Sequence, residues 1–514
     1  MFTKRALFTL LLLLSALTVF AQADLEKIDQ YIAKAQKDWN VPGMAVAIVK
    51  DGKIVHSKGY GLLEKGGSDK VDENTLFAIA SNTKAFIASA IGTLVDQGKL
   101  SWKDKVGDYL PYFELYDSYA TSEATIEDLL CHRLGLGTFS GDVIWYKSEL
   151  SAEEVVKRAK FVPKAYGFRD GYGYSNLMFI AAGEVIKAVT GMEWSRYIEE
   201  TFFNDLNMNR TITSTTRLDT QGNYATPHKA VRDENIPIEW TRWDNMGAAG
   251  GIISSVNDMA HWMNFQLVGV AKNNSPLSKA TQNLIWTPHN TFVVGESQKK
   301  ARPGRNFNGY ALGWGVSDKM GRRIIAHGGG YDGMYSRVAM MPEENLGIVV
   351  LTNGMRGISN AITDYVMDQY IQAGEVNYSA NALKKLSYPM YDRIDDIKSK
   401  RVNGTKPSLN TDGYTGIFYT QMYGDIYVKN EGGKLRLEFS HAPLLSASLE
   451  HWHYDTFEVK WDREHAWFGF GTVQFNFDAQ RSITGILIDV PNNDIFFDEL
   501  KLQKVSSPQN LRGK

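Results

Sequence analysis

The chain has 514 residues, 43% apolar and 12% aromatic, with 56 basic and 58 acidic side chains and a formal net charge of −2. That length exceeds what one hydrophobic core serves, so about two or three domains are expected, and the composition is that of a globular protein rather than a disordered one. The near-balance of charge, with no long run of one sign, excludes the electrostatic footprint of a nucleic-acid binder.

At the N-terminus Lys4 and Arg5 precede an apolar run from Ala6 to Phe20, followed by small residues at Ala21 and Ala23. This pattern reads as a secretory signal peptide over residues 1–23, cleaved after Ala21 or after Ala23. The run is shorter than the roughly 20 residues a membrane span needs, and no later stretch is apolar enough, so no membrane span is expected in the mature protein. Export places it outside the cytoplasm, secreted or periplasmic. Cys131 is the single cysteine, so no internal disulfide can form and the fold must rest on its cores.

Helical periodicity runs from Leu25 to Trp39 and stops at Val41-Pro42-Gly43. Met44 to Val49 and Ile54 to Tyr60 flank Asp51-Gly52 as a β-hairpin, and Thr75 to Ala80 reads as a further strand or its lead-in. From Ser81, apolar residues at Ile87, Ala90, Ile91, Leu94 and Val95 predict a helix closed by Gly98. Helical segments follow at 126–130, 177–189 and 256–267, the last after a glycine-rich turn at 248–255. Strands are expected at 311–316, 323–327, 335–341 and 346–352, and a helix at 362–372. Strands at both ends with helices between them imply one sheet completed by distant parts of the chain. Residues 376–409 read as a polar, irregular linker with a helix-like patch at 392–401. Short β-type runs at 425–429, 434–439, 456–461, 472–477 and 483–488 predict a small all-β barrel or sandwich over residues 410–505, leaving 506–514 as a tail.

Ser81 and Lys84 stand three residues apart at the start of an apolar helix. A serine hydroxyl needs a neighbouring base, and residue i+3 on a helix lies within reach. Lysine serves as a base only as the free amine, which burial favours, and a helix N-terminus offers backbone N–H donors to a developing oxyanion. A second Ser-x-x-Lys, Ser297 and Lys300, lies in a charged, helix-poor stretch over 296–305 and reads as solvated surface. Tyr174-Ser175-Asn176, the single Tyr-x-Asn of the chain, offers a phenol that passes protons and an amide that orients a lysine or a substrate. His327-Gly328-Gly329-Gly330 ends a strand with glycines that permit close approach of a substrate. His441, His451, His453 and His465 lack partners at ligand spacing, so no metal is expected, and Cys131 reads as a small core residue. No cofactor is expected.

The order Ser81-x-x-Lys84, Tyr174-x-Asn176, His327-x-Gly329 resembles the penicillin-recognising serine hydrolases, in the branch of class C β-lactamases, D-aminopeptidases and related esterases. Ile126 to His132, Ala249 to Ile252 and Ala311 to Gly315 are similar to that family as well, and the likeness spans about residues 25–375. It implies an α/β (α+β) fold of the serine β-lactamase/transpeptidase type: an antiparallel sheet flanked by helices, with a helical subdomain, over residues 24–375. It also implies an acyl-enzyme on Ser81, proton traffic shared by Lys84 and Tyr174, and an oxyanion hole at the N–H groups of Ser81 and Gly330. Asn176 would position Lys84 and the substrate, beside Gly329, and His327 would aid binding or proton transfer. Class C β-lactamases carry lysine where this chain has His327, which moves the expectation from antibiotics toward peptides, small amides and esters. The alternatives are a β-lactamase and a non-catalytic sensor of penicillin or peptidoglycan fragments. The last domain resembles the lipocalin-like domain appended to some of these peptidases. The expected partner is a small-molecule or peptide substrate, with no nucleic acid, and the sequence leaves homo-oligomerisation open.

Overall fold

The computed structural model describes residues 23–269, 271 and 275–509; the expected signal peptide, apart from Ala23, and the end of the tail lie outside the described residues. Helix α1 (Leu25–Asp38) starts at Asp24, whose carboxylate accepts from the Lys27 N–H at 3.0 Å. The hairpin β1 (Gly43–Lys50) and β2 (Lys53–Gly61) turns through Asp51 and Gly52, both at positive φ, as a two-residue turn between strands requires.

The hairpin is one edge of an eight-stranded sheet whose other members come from far along the chain. They are β3 (Asn290–Phe292), β4 (Asn308–Tyr310), β5 (Gly315–Lys319), β6 (Arg322–Tyr331), β7 (Met334–Met341) and β8 (Leu346–Thr352). The spatial order is β2-β1-β8-β7-β6-β5-β4-β3, every neighbouring pair antiparallel, and β1 meets β8 in the register Met44 opposite Thr352. Distant segments therefore complete one sheet, as the strand pattern implied.

β1 is buried on both faces. Met44, Val46 and Ile48 pack with Ile28 and Ile32 of α1 and with Ile358, Ile362 and Val366 of α5 (Ile358–Ile371), whereas Ala45, Ala47 and Val49 join the main core on the other side. That core surrounds α2 (Thr83–Asp96), in which every residue from Thr83 to Leu94 is buried. Against α2 lie α3 (Asn176–Thr190) and α4 (Val256–Val268), with Phe86 stacked on Trp262 at 3.7 Å between ring centroids.

Several boundaries differ from expectation. Thr75 to Ala80 yields a two-residue strand, Phe77–Ala78, paired with Ile253–Ser254. Ser81 lies in a 3₁₀ turn, Ala80–Asn82, and α2 proper begins at Thr83. Residues 311–314 form a turn between β4 and β5, where Gly313 takes φ +72°. The stretch expected to be helix-poor carries a short helix, Glu296–Ala301, with Ser297 and Lys300 exposed on it. Within 376–409, α6 (Tyr378–Leu383) packs on α5, and α7 (Pro389–Ser399) seats Ile394 against Trp452 and Phe470 of the last domain.

That domain is a closed antiparallel barrel of eight strands: β9 (Gly416–Thr420), β10 (Gly424–Glu431), β11 (Lys434–Phe439), β12 (Ala442–His453), β13 (Thr456–Trp461), β14 (Thr472–Phe477), β15 (Ile483–Asp489) and β16 (Leu502–Val505). β9 pairs with β16 to close it, which removes free strand edges. The barrel is fastened to the first domain by Lys229 donating to Glu464 at 2.9 Å and to the Phe468 carbonyl at 3.0 Å, and by Glu499 accepting from Ser140 and the Gly141 N–H. No helix among the described residues is long and apolar enough to cross a membrane.

Candidate active site

The nucleophile candidate sits on a tight turn. Ala80 is held at φ +49°, a left-handed conformation that costs a non-glycine residue roughly 1–2 kcal/mol, and the turn it makes presents Ser81 at the head of α2. Ser336 and Asn82 brace this turn: the Ser336 hydroxyl donates to the Ile79 carbonyl at 2.6 Å and accepts from the Asn82 amide at 2.9 Å. Strand β6 comes so close that a Cβ on Gly329 would lie 2.4 Å from the Ile79 carbonyl oxygen, so glycine is required there.

Lys84 is fully buried beneath Ser81. Its Nζ lies 3.0 Å from Ser81 Oγ, 2.7 Å from Asn176 Oδ1 and 2.7 Å from the Ala249 carbonyl oxygen. Burial lowers its pKa to about 7, with the charge of Asp142 opposing the shift. A neutral amine has two N–H groups and one lone pair. Two carbonyl oxygens take the two N–H groups, and the lone pair is left facing the serine hydroxyl.

Asn176 is itself oriented. Its amide donates to Asp142 Oδ2 at 2.7 Å, which fixes its oxygen toward Lys84, and the other Asp142 oxygen accepts from the Trp145 indole at 2.8 Å. Burial raises Asp142 to about 8, against the two hydrogen bonds that favour its ionised form. Asp142 carries no sequence signal: it is a single carboxylate at the start of a short 3₁₀ turn, Asp142–Ile144, with no periodic pattern around it.

The Tyr174 hydroxyl is hydrogen-bonded to Ser81, and its ring lies over Lys84 Nζ at 4.8 Å from the centroid. Burial raises this phenol well above its ordinary value, so it rests protonated. Both motifs singled out for Ser81 thus converge on it.

His327 arrives by a different route. The Ser175 N–H donates to His132 Nδ1 at 3.1 Å, which leaves the proton of a neutral His132 ring on Nε2. That nitrogen is 3.3 Å from the Tyr310 hydroxyl, which is 2.9 Å from His327 Nε2, and His327 Nδ1 is 2.5 Å from the Gly328 carbonyl oxygen. Satisfying every partner assigns one direction to the chain, from His132 through Tyr310 to His327, with both rings neutral. Burial, and then the Lys84 charge, lowers His327 to about 3, and His132 is lowered well below its usual value for the same reasons. A neutral ring with both nitrogens engaged is poorly suited to shuttling protons. Its place in the wall, not its titration, is what the fold secures. Tyr310 and His132 were not recognisable as members of this chain from spacing alone, although His132 closes one of the family-like segments.

Ser81, Tyr174, Asn176, His327, Gly329 and Gly330 line one cavity of about 260 Å³ together with Asp142. The barrel closes it: Trp467, Asp494 and Ile495 complete the lining, and a Cβ on Gly330 would lie 3.0 Å from Trp467 Cη2. Cys131 is buried, with its thiol pushed up to about 12 by burial, as suits a core residue. His465 contacts Lys147 at 2.9 Å on the domain boundary, and no cluster of His, Cys, Asp and Glu that could hold a metal occurs among the described residues.

Comparison with known proteins agrees with this geometry. The family model described as Beta-lactamase matches residues 28–370, and a model described as a domain of unknown function, DUF3471, matches residues 400–504. Protein flp of Staphylococcus aureus is 29% identical over 337 residues, covering 64% of this chain and 63% of that protein. The unguisins hydrolase ungD of Aspergillus violaceofuscus is 29% identical over 351 residues, covering 63% and 60%. This chain therefore spans less than two thirds of the length of either relative. Among solved structures, the octameric penicillin-binding protein homologue from Pyrococcus abyssi aligns over 93% of this chain and 99% of its own, with a TM-score of 0.60 at 18% identity. At that identity the likeness is one of fold, and it extends across both domains.

Proposed function

The chain belongs to the beta-lactamase family, and from that premise we propose that it is an exported serine hydrolase that forms an acyl-enzyme on Ser81 and hydrolyses small amides, peptides, including D-amino-acid peptides, or esters. The observation that carries this reading is the Lys84 amine, buried, lowered to about 7 and held with its lone pair toward Ser81. A base with a pKa near the working pH is the most effective one.

In this reading Ser81 Oγ attacks the substrate carbonyl carbon while its proton passes to Lys84 Nζ. The tetrahedral oxyanion is received by the backbone N–H groups of Ser81 and Gly330. Lys84, through the neutral Tyr174 hydroxyl, returns the proton to the leaving nitrogen or oxygen, and the bond to the leaving group breaks. Water then attacks the ester, the same groups take and return its proton, and Ser81 is restored. Asn176 keeps Lys84 aligned, and His327 and Gly329 shape the wall facing the substrate. Hydrolysis of β-lactams is less well supported, because neutral His327 offers no charge to the carboxylate those compounds carry.

The test is covalent labelling by a fluorophosphonate alongside a panel of amides, esters and a chromogenic cephalosporin. Labelling that disappears in Ser81→Ala, with turnover in the amide or ester panel, is expected. A wild type that neither labels nor turns over any member of the panel would falsify the hydrolase reading, and rapid cephalosporin turnover would put β-lactams first.

A further inference from the structure

On the far side of the sheet from Ser81, arginines gather with too few carboxylates to pair them. Gly328 of β6 stands opposite Arg337 of β7, and residues opposite one another in a ladder point to the same face. Ala326 and Ala339, two residues along on the same strands, pack with Ile358 and Ile362 of α5, so that face is the one α5 covers. Arg337 Nε donates to Thr363 Oγ1 of α5 at 3.1 Å, and the next residue, Asp364, accepts from Arg302 Nε at 3.0 Å. Arg305, in the loop before β4, donates to Ser317 Oγ of β5 at 3.3 Å, and its Nε is buried without a partner. Among the described residues these are the only side-chain hydrogen bonds the guanidinium groups of Arg302, Arg305 and Arg337 make, and only Arg302 has an ion pair. The other carboxylates close by are engaged: Asp318 accepts from the Asn306 and Phe307 N–H groups at 2.7 and 2.8 Å, and Asp368 pairs with Lys319.

We propose that Arg302, Arg305 and Arg337 form a binding site for a small tetrahedral oxyanion, phosphate or sulfate, free or as the end of a monoester. Partly desolvated cations without counter-charges are costly, and an anion between them removes that cost. Burial, and then the charges of Arg302 and Arg305, lower Arg337 to about 10 against the pull of Asp364, and burial and Arg302 lower Arg305 as well. The forked guanidinium matches the oxygens of phosphate or sulfate with paired N–H donors. Ser317 adds a hydroxyl whose own hydrogen, among the described residues, is not donated elsewhere. With Asp364 the one carboxylate ion-paired to the cluster, the remaining charge suits a dianion better than a single carboxylate. Space is present: Gly328 places no side chain on this face, and the nearest atom to a Cβ built there is 3.8 Å away. The Arg302 side chain is 32% exposed, which opens the cluster to solvent, while Arg305 and Arg337 are half-buried, which favours one small group over a flat anionic surface. The site lies apart from the serine cavity, and nothing in it depends on the acyl-enzyme reading.

The experiment is titration calorimetry of the whole protein with inorganic phosphate and with sulfate, the ionic strength held constant with chloride. One saturable site is expected, weakened about tenfold or more in Arg305→Gln and less in Arg305→Lys, which keeps the charge and loses the fork. Phosphate should also raise the melting temperature of the wild type and not that of Arg305→Gln. No saturable binding of either anion up to about 20 mM, or binding unchanged in Arg305→Gln, overturns the proposal. Glycerol phosphate and vesicles of phosphatidylglycerol separate the sources of the anion: binding of the former is expected, and binding confined to the vesicles overturns a site for a small anion. Should Arg305→Gln fail to fold, the wild type decides alone through modification by phenylglyoxal, read residue by residue by peptide mass spectrometry. Protection of Arg302, Arg305 and Arg337 by phosphate supports the site, and protection of none of them overturns it.

Discussion

At the scale of single residues, the site depends on Lys84 having no proton when Ser81 attacks. Its pKa near 7 implies that kcat/KM rises with pH through about 7, as the ammonium loses its proton, and reaches a plateau above. A pH profile on an uncharged ester measures this; a rate falling over the same range would contradict the role given to Lys84. Lys84→Arg, charged at every accessible pH, should be inactive although its length is similar. Asp142→Asn makes a finer test. Asp142 accepts from Asn176 with one oxygen and from Trp145 with the other, whereas an asparagine has a single carbonyl oxygen. One donor is then left unpaired in a buried place, and we expect kcat to fall roughly 10–100-fold with the fold retained, read by steady-state kinetics and circular dichroism. Ser81, Lys84, Tyr174 and Asn176 could be found because each sits in a short, ordered pattern. Asp142, His132 and Tyr310 act through the orientation of other side chains, and orientation across loops leaves no spacing to read.

At the scale of elements, α2 carries the nucleophile and base, and its packing sets their geometry. Phe86, stacked on Trp262 and edge-on to Phe203 at 5.9 Å, anchors the first turns of α2 to α4. Truncation by Phe86→Ala should cost about 3–5 kcal/mol of stability, measurable by denaturant unfolding. Gly313 bears on the same helix from the other side: a Cβ there would lie 2.7 Å from the Lys84 carbonyl oxygen, and φ +72° disfavours any other residue. Helices with one apolar stripe, such as α1, were legible from periodicity. The Glu296–Ala301 helix was not, since it has no apolar stripe and no buried residue and is supported by a Glu296–Lys299 pair at 3.0 Å. The sequence pattern ends β6 at His327, yet the strand runs on through Gly328–Gly330 because those glycines pair with Arg337, Ser336 and Tyr335 of β7. Glycines weaken a strand signal even where the ladder continues.

At the scale of the molecule, two domains share one site. The barrel's existence was readable from its short, regularly spaced strands, but its docking was not, because an interface between domains has no period along the chain. Trp467 tests the docking directly. It narrows the cavity beside Gly330, so Trp467→Ala should admit bulkier acyl groups. A series of p-nitrophenyl esters of increasing acyl length should show the preference for the shortest chains relaxed, and an unchanged series would place Trp467 outside the path of the substrate.

The pairing of β1 with β8 has a consequence in time as well as in space. Met44 finds its partner at Thr352, and the wall of the cavity waits for Asp494. Contacts so distant along the chain form late and slowly. A ribosome therefore releases almost the whole polypeptide before the serine at position 81 can meet a finished cavity, and the half-made protein carries its nucleophile without the means to use it.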